Sequence, residues 1–417
     1  EEDKADVEFL KNATLNAEAI ERMSQRFSWE QLSVGCGLSE ETLREIAMLF
    51  SQNHPATICM GRGPQHYKQG AEITRLILAA CALSGNLGVK GGGYNYNSDF
   101  WGPFDRTLDG GEFATSHRTA PKAIIGEAIL NMKEPPIRAA YIHGGNPVTQ
   151  CPNSQKVARA FRSIDFVTVV DSFLTDTAEC ADLFLPSAMF LETRDIRAAG
   201  WNPYVGPVVP AVQPPEGVKA DWEIVGLLAQ RLGIEDPYLG HPIEQFLPKA
   251  LAPIEKYGLN PKNATNEIFR NPPFEGGVFA TPSGKFEFLE EWEPEGDSKA
   301  DDRYPLRLLS LKYQRYQSSQ MLESQQTKSE AIVWFHPETA TRFTLKDGEK
   351  GRLLSPSGEC EVVFALDEEL RKDVCLARSG GWMKKGHGIN VLTEDILTNS
   401  GECSGYYETR VRPVAQS

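Results

Sequence analysis

The sequence predicts an α/β chain in three parts. A doubly wound parallel-sheet domain spans residues 1–200, an extended and helical connecting region 201–302, and a β-barrel or sandwich domain 303–417. Three observations carry this. Short apolar runs alternate with amphipathic helical stretches in the first part. Proline and glycine crowd the second. The third holds short strand-like runs at close spacing, punctuated by turn signals.

Thr14 to Phe27 places apolar residues at Leu15, Ala19, Ile20, Met23 and Phe27, a helical spacing. Ser39-Glu40-Glu41-Thr42 supplies an N-cap and acidic first turn for a second helix carrying Leu43, Ile46, Ala47 and Phe50. Ala56 to Met60 reads as a buried strand ending at Gly61-Arg62-Gly63, and Ala71 to Leu83 as the helix that follows. The same grammar recurs: helix Lys122–Met132, strand Ala139–Ile142, helix Ser154–Phe161, strand Phe166–Val170, and a last short run Leu183–Pro186. Strands buried on both faces and separated by helices argue for parallel pairing. In the middle part only Trp222–Leu232 has a clear helical pattern. After Tyr304 the runs Leu306–Leu311, Ala331–Phe335, Gly351–Leu354, Glu361–Ala365 and Val374–Arg378 read as strands, with Asp347-Gly348 and Ser357-Gly358 as turns.

Composition narrows the function. Acidic residues outnumber basic ones 57 to 43, a net charge of −14 that opposes non-specific binding to nucleic acid or an anionic membrane surface. No apolar run approaches the roughly 20 residues of a membrane-spanning helix. The eight cysteines include no CxxC pair, so neither a zinc ribbon nor a dithiol motif is written here. The seven histidines show no HxxxH spacing, and no P-loop or Gly-x-Ser-x-Gly elbow is present. The sequence opens Glu1-Glu2-Asp3-Lys4, without Met or signal peptide, so the expectation is a processed chain or a part of something longer.

In an open parallel sheet, ligands bind beyond the carboxyl ends of the strands. Those ends read Gly61-Arg62-Gly63-Pro64-Gln65, Gly144-Gly145-Asn146-Pro147 and Asp171-Ser172-Phe173-Leu174-Thr175-Asp176-Thr177. Glycine lets backbone N–H groups approach a phosphate or a flat heterocycle. A strand-end Asp can accept two hydrogen bonds from a guanine or bind a ribose hydroxyl, and the threonines can cap a helix or donate to phosphate. His143 is the imidazole best placed to approach a ligand. The alternative is that these are ordinary α/β turns, with Asp182 a turn or capping residue.

Taken together, these segments resemble the molybdopterin oxidoreductases of the dimethyl sulfoxide reductase and formate dehydrogenase superfamily. The resemblance rests on Gly144–Pro147, Val169–Ala178, Ala181–Ala188, Ala82–Gly88, the T-x-S-G-K-x-E pattern of Thr281–Glu287, and His336–Ala340, Lys346–Gly348 and Gly388–Thr393, in family order over nearly the whole chain. It implies a Rossmann-like α/β domain, a C-terminal double-psi β-barrel, and molybdenum (or tungsten) held by bis-molybdopterin guanine dinucleotide. It also implies that this is the C-terminal part of a catalytic subunit, with the metal ligand and any 4Fe–4S cluster in a preceding region.

Residue by residue, Gly61, Gly63 and Gln65 match the glycine turn that approaches one pterin dinucleotide, and Gly144, Asn146 and Pro147 a second cofactor loop. Asp171 matches the acid expected at a guanine, flanked by Thr175 and Thr177, and Asp182 the A-D-x-x-L-P acid that also points to a guanine. In the barrel, Lys312, Arg315, Tyr316, Gln317 and Ser318 fall in the cofactor-facing loop, where the family's H-S-Q is here Ser318-Ser319-Gln320. Ser379, Gly380, Asn390 and Tyr406 match later barrel contacts. Formate dehydrogenases carry an N-P-x-R-G-Q run where this chain has Gly91–Asp99 without an Arg, so formate is disfavoured.

The resemblance implies two-electron redox or oxo-transfer chemistry on a small-molecule substrate, with no catalytic or metal-ligating residue assigned in this chain. The implied partners are the N-terminal remainder of the subunit and an iron–sulfur electron-transfer subunit, with no nucleic acid. The compartment expected is the cytoplasm, or the periplasm if a preceding region carries a twin-arginine signal. Two other readings stay open: a non-catalytic nucleotide-binding or assembly module, and an NAD-binding protein, against which the missing GxGxxG counts.

Overall fold

The computed structural model describes residues 5–96, 104–105, 107, 118–198, 205–236, 238–256, 273–295, 302–313, 316, 318–326 and 331–416. Helix α1 (Val7–Ala13) is capped by Asp6, which accepts the Phe9 N–H at 2.9 Å. The helix expected from Thr14 starts only at Ala17 (α2, Ala17–Ser24). Thr14–Leu15 instead form strand β1, and Asn16 turns the chain at φ +63°. Strand β1 pairs with Phe286–Glu287, a partner too distant in sequence for local periodicity to announce. Helix α3 (Trp29–Cys36) opens with a Ser28–Gln31 capping box, and α4 (Glu40–Gln52) with Ser39 accepting the Thr42 N–H at 3.1 Å.

Strand β2 (Thr57–Cys59), helix α5 (Gly70–Leu83) and strand β3 (Gly93–Asn95) form the first α/β unit, with β2 and β3 parallel. Ile58 packs on the cluster around Ala79, Cys81 and Leu87. Thr57 and Cys59, expected to be buried, alternate onto the other, exposed face.

Next come α6 (Ile125–Asn131), β4 (Ala139–His143), α7 (Pro147–Gln150), α8 (Ser154–Arg162), β5 (Phe166–Asp171) and β6 (Leu183–Pro186). The strands run parallel in the order β4-β5-β6. Helix α8 closes this sheet by burying Val157, Ala158, Ala160 and Phe161 against Val167 and Val169. The parallel pairing is therefore as the alternating pattern predicts, divided among the described residues between two sheets.

The middle of the chain holds a hairpin of β7 (Asp195–Ala198) with β8 (Val205–Val208), then α9 (Asp221–Leu232) and α10 (Leu247–Lys256). The Thr281–Glu287 signature builds a tight turn: the Thr281 hydroxyl donates to the Lys285 carbonyl at 2.6 Å and Ser283 to the Glu287 carboxylate at 2.7 Å. It leads into β9 (Phe286–Glu287), and Phe279 and Phe288 around it are buried against Ala79 and Ala82.

The last part is a closed barrel of β10 (Leu306–Lys312), β11 (Ala331–Phe335), β12 (Lys350–Leu354), β13 (Glu359–Leu366), β14 (Val374–Ser379) and β15 (Arg410–Ala415). Helix α11 (Pro337–Arg342) lies between β11 and β12. The strand order is β10-β14-β11-β13-β12-β15, with β10/β14 and β11/β13 parallel and the other pairs antiparallel. Alternate residues fill the interior: Leu306, Leu308, Val333, Phe335, Leu353, Val362, Phe364 and Val411. Strand β15 carries no apolar run, because Arg410, Arg412 and Pro413 interrupt it. Its buried Arg410 donates to the Pro305 carbonyl at 3.1 Å.

Candidate functional site

The carboxyl ends of β4 and β5 turn toward the barrel. Gly144 leaves β4 at φ +61°, and a Cβ built on it meets nothing within 4 Å, so the backbone borders open space. Asn146 is only 5% exposed. Its Oδ1 accepts the Thr177 hydroxyl at 2.6 Å, while its Nδ2 has no partner. Pro147 opens α7, where its missing N–H costs no bond. Fully buried Thr177 also accepts the Val148 N–H at 3.1 Å, and Thr175 accepts that of Ala178 at 3.3 Å.

Asp171, at the end of β5, is half-buried and accepts the Phe173 N–H at 3.1 Å. Burial pushes its carboxyl above the ordinary range, against the opposing pull of the Phe173 and Ser172 N–H groups. Asp182 lies elsewhere. It precedes β6 at the amino end of the sheet, beside Val167, whose N–H it accepts at 2.7 Å. The two acids matched to guanine are thus at opposite ends of one sheet, and Asp182 fills the turn role.

The barrel meets these loops around Gln150. Buried Asn390 donates through Nδ2 to the Thr149 and Gln150 carbonyls, at 2.9 and 3.2 Å. The Tyr406 hydroxyl donates to the same Gln150 carbonyl at 2.5 Å. The Gln150 side chain donates to Ser319 Oγ at 3.0 Å. Asn390 and Tyr406, expected to face a cofactor, therefore have these donors engaged in docking the barrel.

Asp176 is the residue that sequence reasoning passed over. It is 2% exposed and accepts the backbone N–H groups of Met383 (2.6 Å) and Lys384 (3.0 Å) and the Thr149 hydroxyl (3.2 Å). An Asp between two threonines, following Phe173-Leu174, was the available signal.

The loop after β2 makes the third side. Gly61 borders open space, and Gln65 Oε1 accepts the Tyr96 hydroxyl. His66 stands edge-on to Tyr406 and Tyr407, with ring centroids at 5.2 and 5.3 Å, and pairs with the Ser404 carbonyl at 3.3 Å. The Tyr407 ring also lies 3.8 Å from where a Gly63 Cβ would be.

Burial lowers the His66 pKa. The Ser404 carbonyl opposes this, and the charges of Lys312 and Arg62 add to it. Lys312 is lowered too, by desolvation and then by Arg62. Two cations, one from each side of the interface, thus bear on one lip, a charge arrangement suited to phosphate.

Gly380 turns at φ +98°, and a Cβ there would fall 2.2 Å from the Ser318 carbonyl oxygen, which keeps the two loops in contact only while this residue is glycine. The Ser379 hydroxyl donates to the Leu311 carbonyl at 3.3 Å, and Tyr316 packs edge-on against Tyr313 at 5.8 Å. Arg315 and Gln317 lie outside the described residues, as do Asn97–Asp99 of the stretch that lacks the formate-type Arg.

Residues 9–231, more than half of the chain, match the family model described as Molybdopterin oxidoreductase. The chain belongs to the molybdopterin oxidoreductase family. Residues 308–410, the barrel, match the Molydopterin dinucleotide binding domain. The chain is similar to two Bacillus subtilis proteins described as probable oxidoreductases, YyaE (29% identical, 98% of this chain, 65% of that protein) and YoaE (26%, 98% and 63%). It is 23% identical to formate dehydrogenase H of Escherichia coli, over 100% of this chain and 64% of that one. The chain therefore spans somewhat less than two thirds of the length of these relatives. Acetylene hydratase from Pelobacter acetylenicus superposes with a TM-score of 0.80 at 18% identity, over 100% of this chain and 68% of the other, a shared fold. Among the described residues no helix is long and apolar enough to cross a membrane.

Proposed function

We propose that this chain is the cofactor-holding portion of a molybdenum or tungsten oxidoreductase that carries bis-molybdopterin guanine dinucleotide. The observation that carries this reading is the convergence of three α/β loops on the barrel around Gln150, beside a buried Asn146 amide nitrogen without a partner. A buried donor left unpaired costs about 1–3 kcal/mol, so an acceptor from a ligand fits it. Open backbone at Gly61 and Gly144 and the cations Arg62 and Lys312 fit the flat and phosphorylated parts of such a ligand.

When bound, the group supplies two-electron redox chemistry at its metal. This chain supplies the holding. Arg62 and Lys312 offer charge to the pyrophosphates. Asp171, at the carboxyl end of β5, offers an acceptor for guanine N–H groups. Asn146 offers a donor. Docking through Asp176, Asn390 and Tyr406 excludes water from the seam between the α/β region and the barrel. The substrate is a small molecule, with formate disfavoured by the stretch Gly91–Asp99, and electrons pass to an iron–sulfur partner subunit.

The test is composition. The complete protein is purified, denatured and oxidised, and its pterin, guanine nucleotide and metal are quantified. The expected result is two guanine dinucleotides and one molybdenum or tungsten per chain. Protein free of pterin would favour the non-catalytic module instead.

A further inference from the structure

Asn146 is a buried amide that satisfies one end of itself and not the other, and the residue that decides which end is Thr177. A threonine hydroxyl has one proton to give. Thr177 Oγ1 already accepts the Val148 N–H at 3.1 Å, and its own proton has Asn146 Oδ1 at 2.6 Å. A reversed amide could still donate to the second lone pair of Oγ1, but it would leave the threonine proton without the acceptor it has here, so the oxygen faces Thr177 and the NH2 group takes the unpartnered end. Bulk water does not reach Thr177 to supply that proton with another acceptor. Thr177 is 0% exposed, and neighbouring Asp176 is pinned by Thr149 and by the barrel N–H groups of Met383 and Lys384.

We infer that Thr177 is a positioning residue: it fixes the Asn146 amide as a hydrogen-bond donor toward an acceptor oxygen or ring nitrogen of the bound pterin dinucleotide. The inference rests on the proposed function and adds to it the polarity that the ligand must show at this point. An acceptor edge is held, and a donor edge is rejected. Because Asp176 precedes Thr177 in the chain, the same short segment docks the barrel and orients the donor.

The experiment uses the complete, cofactor-loaded protein and reads the rate at which pterin is released on dilution. Thr177→Val should release it about fivefold faster, the loss of one net hydrogen bond, while Thr177→Ser should keep the wild-type rate. Asn146→Ala should release it at least as fast as Thr177→Val, and adding Thr177→Val to Asn146→Ala should change nothing further. A purely structural threonine would instead give multiplying effects, because its contribution would not pass through Asn146.

Asn146→Asp keeps the acceptor for Thr177 but replaces the NH2 by oxygen, and should release pterin as fast as Asn146→Ala. This holds whether or not the valine variant folds. Multiplying effects, wild-type release by Thr177→Val, or retention by Asn146→Asp would overturn the inference while leaving the cofactor reading intact. A wild-type preparation without pterin would overturn both.

Discussion

The barrel and the α/β loops meet at one seam but are built to different ends. The barrel is closed, its interior filled by fully buried Leu308, Val333, Phe335, Leu353 and Phe364, and its late loops carry Asn390 and Tyr406 with donors directed at Gln150. The α/β side is assembled from small parallel sheets, and its strand-end loops place open Gly61 and Gly144 with an unpaired buried amide, that of Asn146. The barrel interior is closed on itself and serves as the wall, while its rim, with open Gly386 and the buried Trp382 Nε1 without a partner, shares the seam. The α/β loops leave the Asn146 amide for the ligand proposed above. Rigid packing on one side lets the other keep strained or unsatisfied groups that would cost stability if both sides moved.

The sharpest way to break this contrast is to damage the wall. Phe335→Ala removes a ring that meets Phe364 edge-on at 5.7 Å, and should cost about 3–5 kcal/mol, seen as a lower Tm and proteolysis across the barrel. Next in size is the seam. Asp176→Ala strands two N–H groups at the seam and the buried Thr149 hydroxyl, and should cost about 2–3 kcal/mol, with Asp176→Asn losing less. Asn390→Ala removes a donor to the Thr149 and Gln150 carbonyls and should cost about 1 kcal/mol in the same melt. If either seam variant destabilised as much as Phe335→Ala, the division into wall and ligand-facing loops would fail.

The smallest effect is a pH slope. Burial favours neutral His66 in the folded chain, so the folded state binds fewer protons there than the unfolded state, whose His titrates near 6.5. That contribution is intact above this value and is lost as pH falls below it. Tm should therefore drop between pH 7 and 5.5 more steeply in the wild type than in His66→Gln. Asp171 acts in the opposite sense at lower pH. Its raised carboxyl makes the folded state hold its proton longer, so stability from this group declines as pH rises through the unfolded value of 3.8 toward the folded one.

Much of this arrangement was legible in the sequence. Apolar runs located the strands β4, β5 and β11 to within a residue or two, although only β5 and β11 are buried as expected and β4 alternates exposed with half-buried residues. Strand-end glycines located the loops. What stayed hidden depends on partners far along the chain. Strand β1 exists only through residues 286–287, and β15 closes the barrel despite two arginines and a proline. Asp176 reads as one polar residue among several until Met383 and Lys384 stand opposite it. Asp182 shows the converse: a motif match names a residue type, while strand register places it at the other end of the sheet from Asp171.

The account is tested most directly by hydrogen exchange on the complete protein, cofactor-loaded against cofactor-stripped. It predicts that the cofactor slows exchange at Gly61–His66, Gly144–Gln150, Asp171–Ala178 and Ser379–Asn390 together, with the barrel strands unchanged. Protection confined to one of these loops, or found on other surfaces while these exchange alike in both states, would contradict a shared cleft.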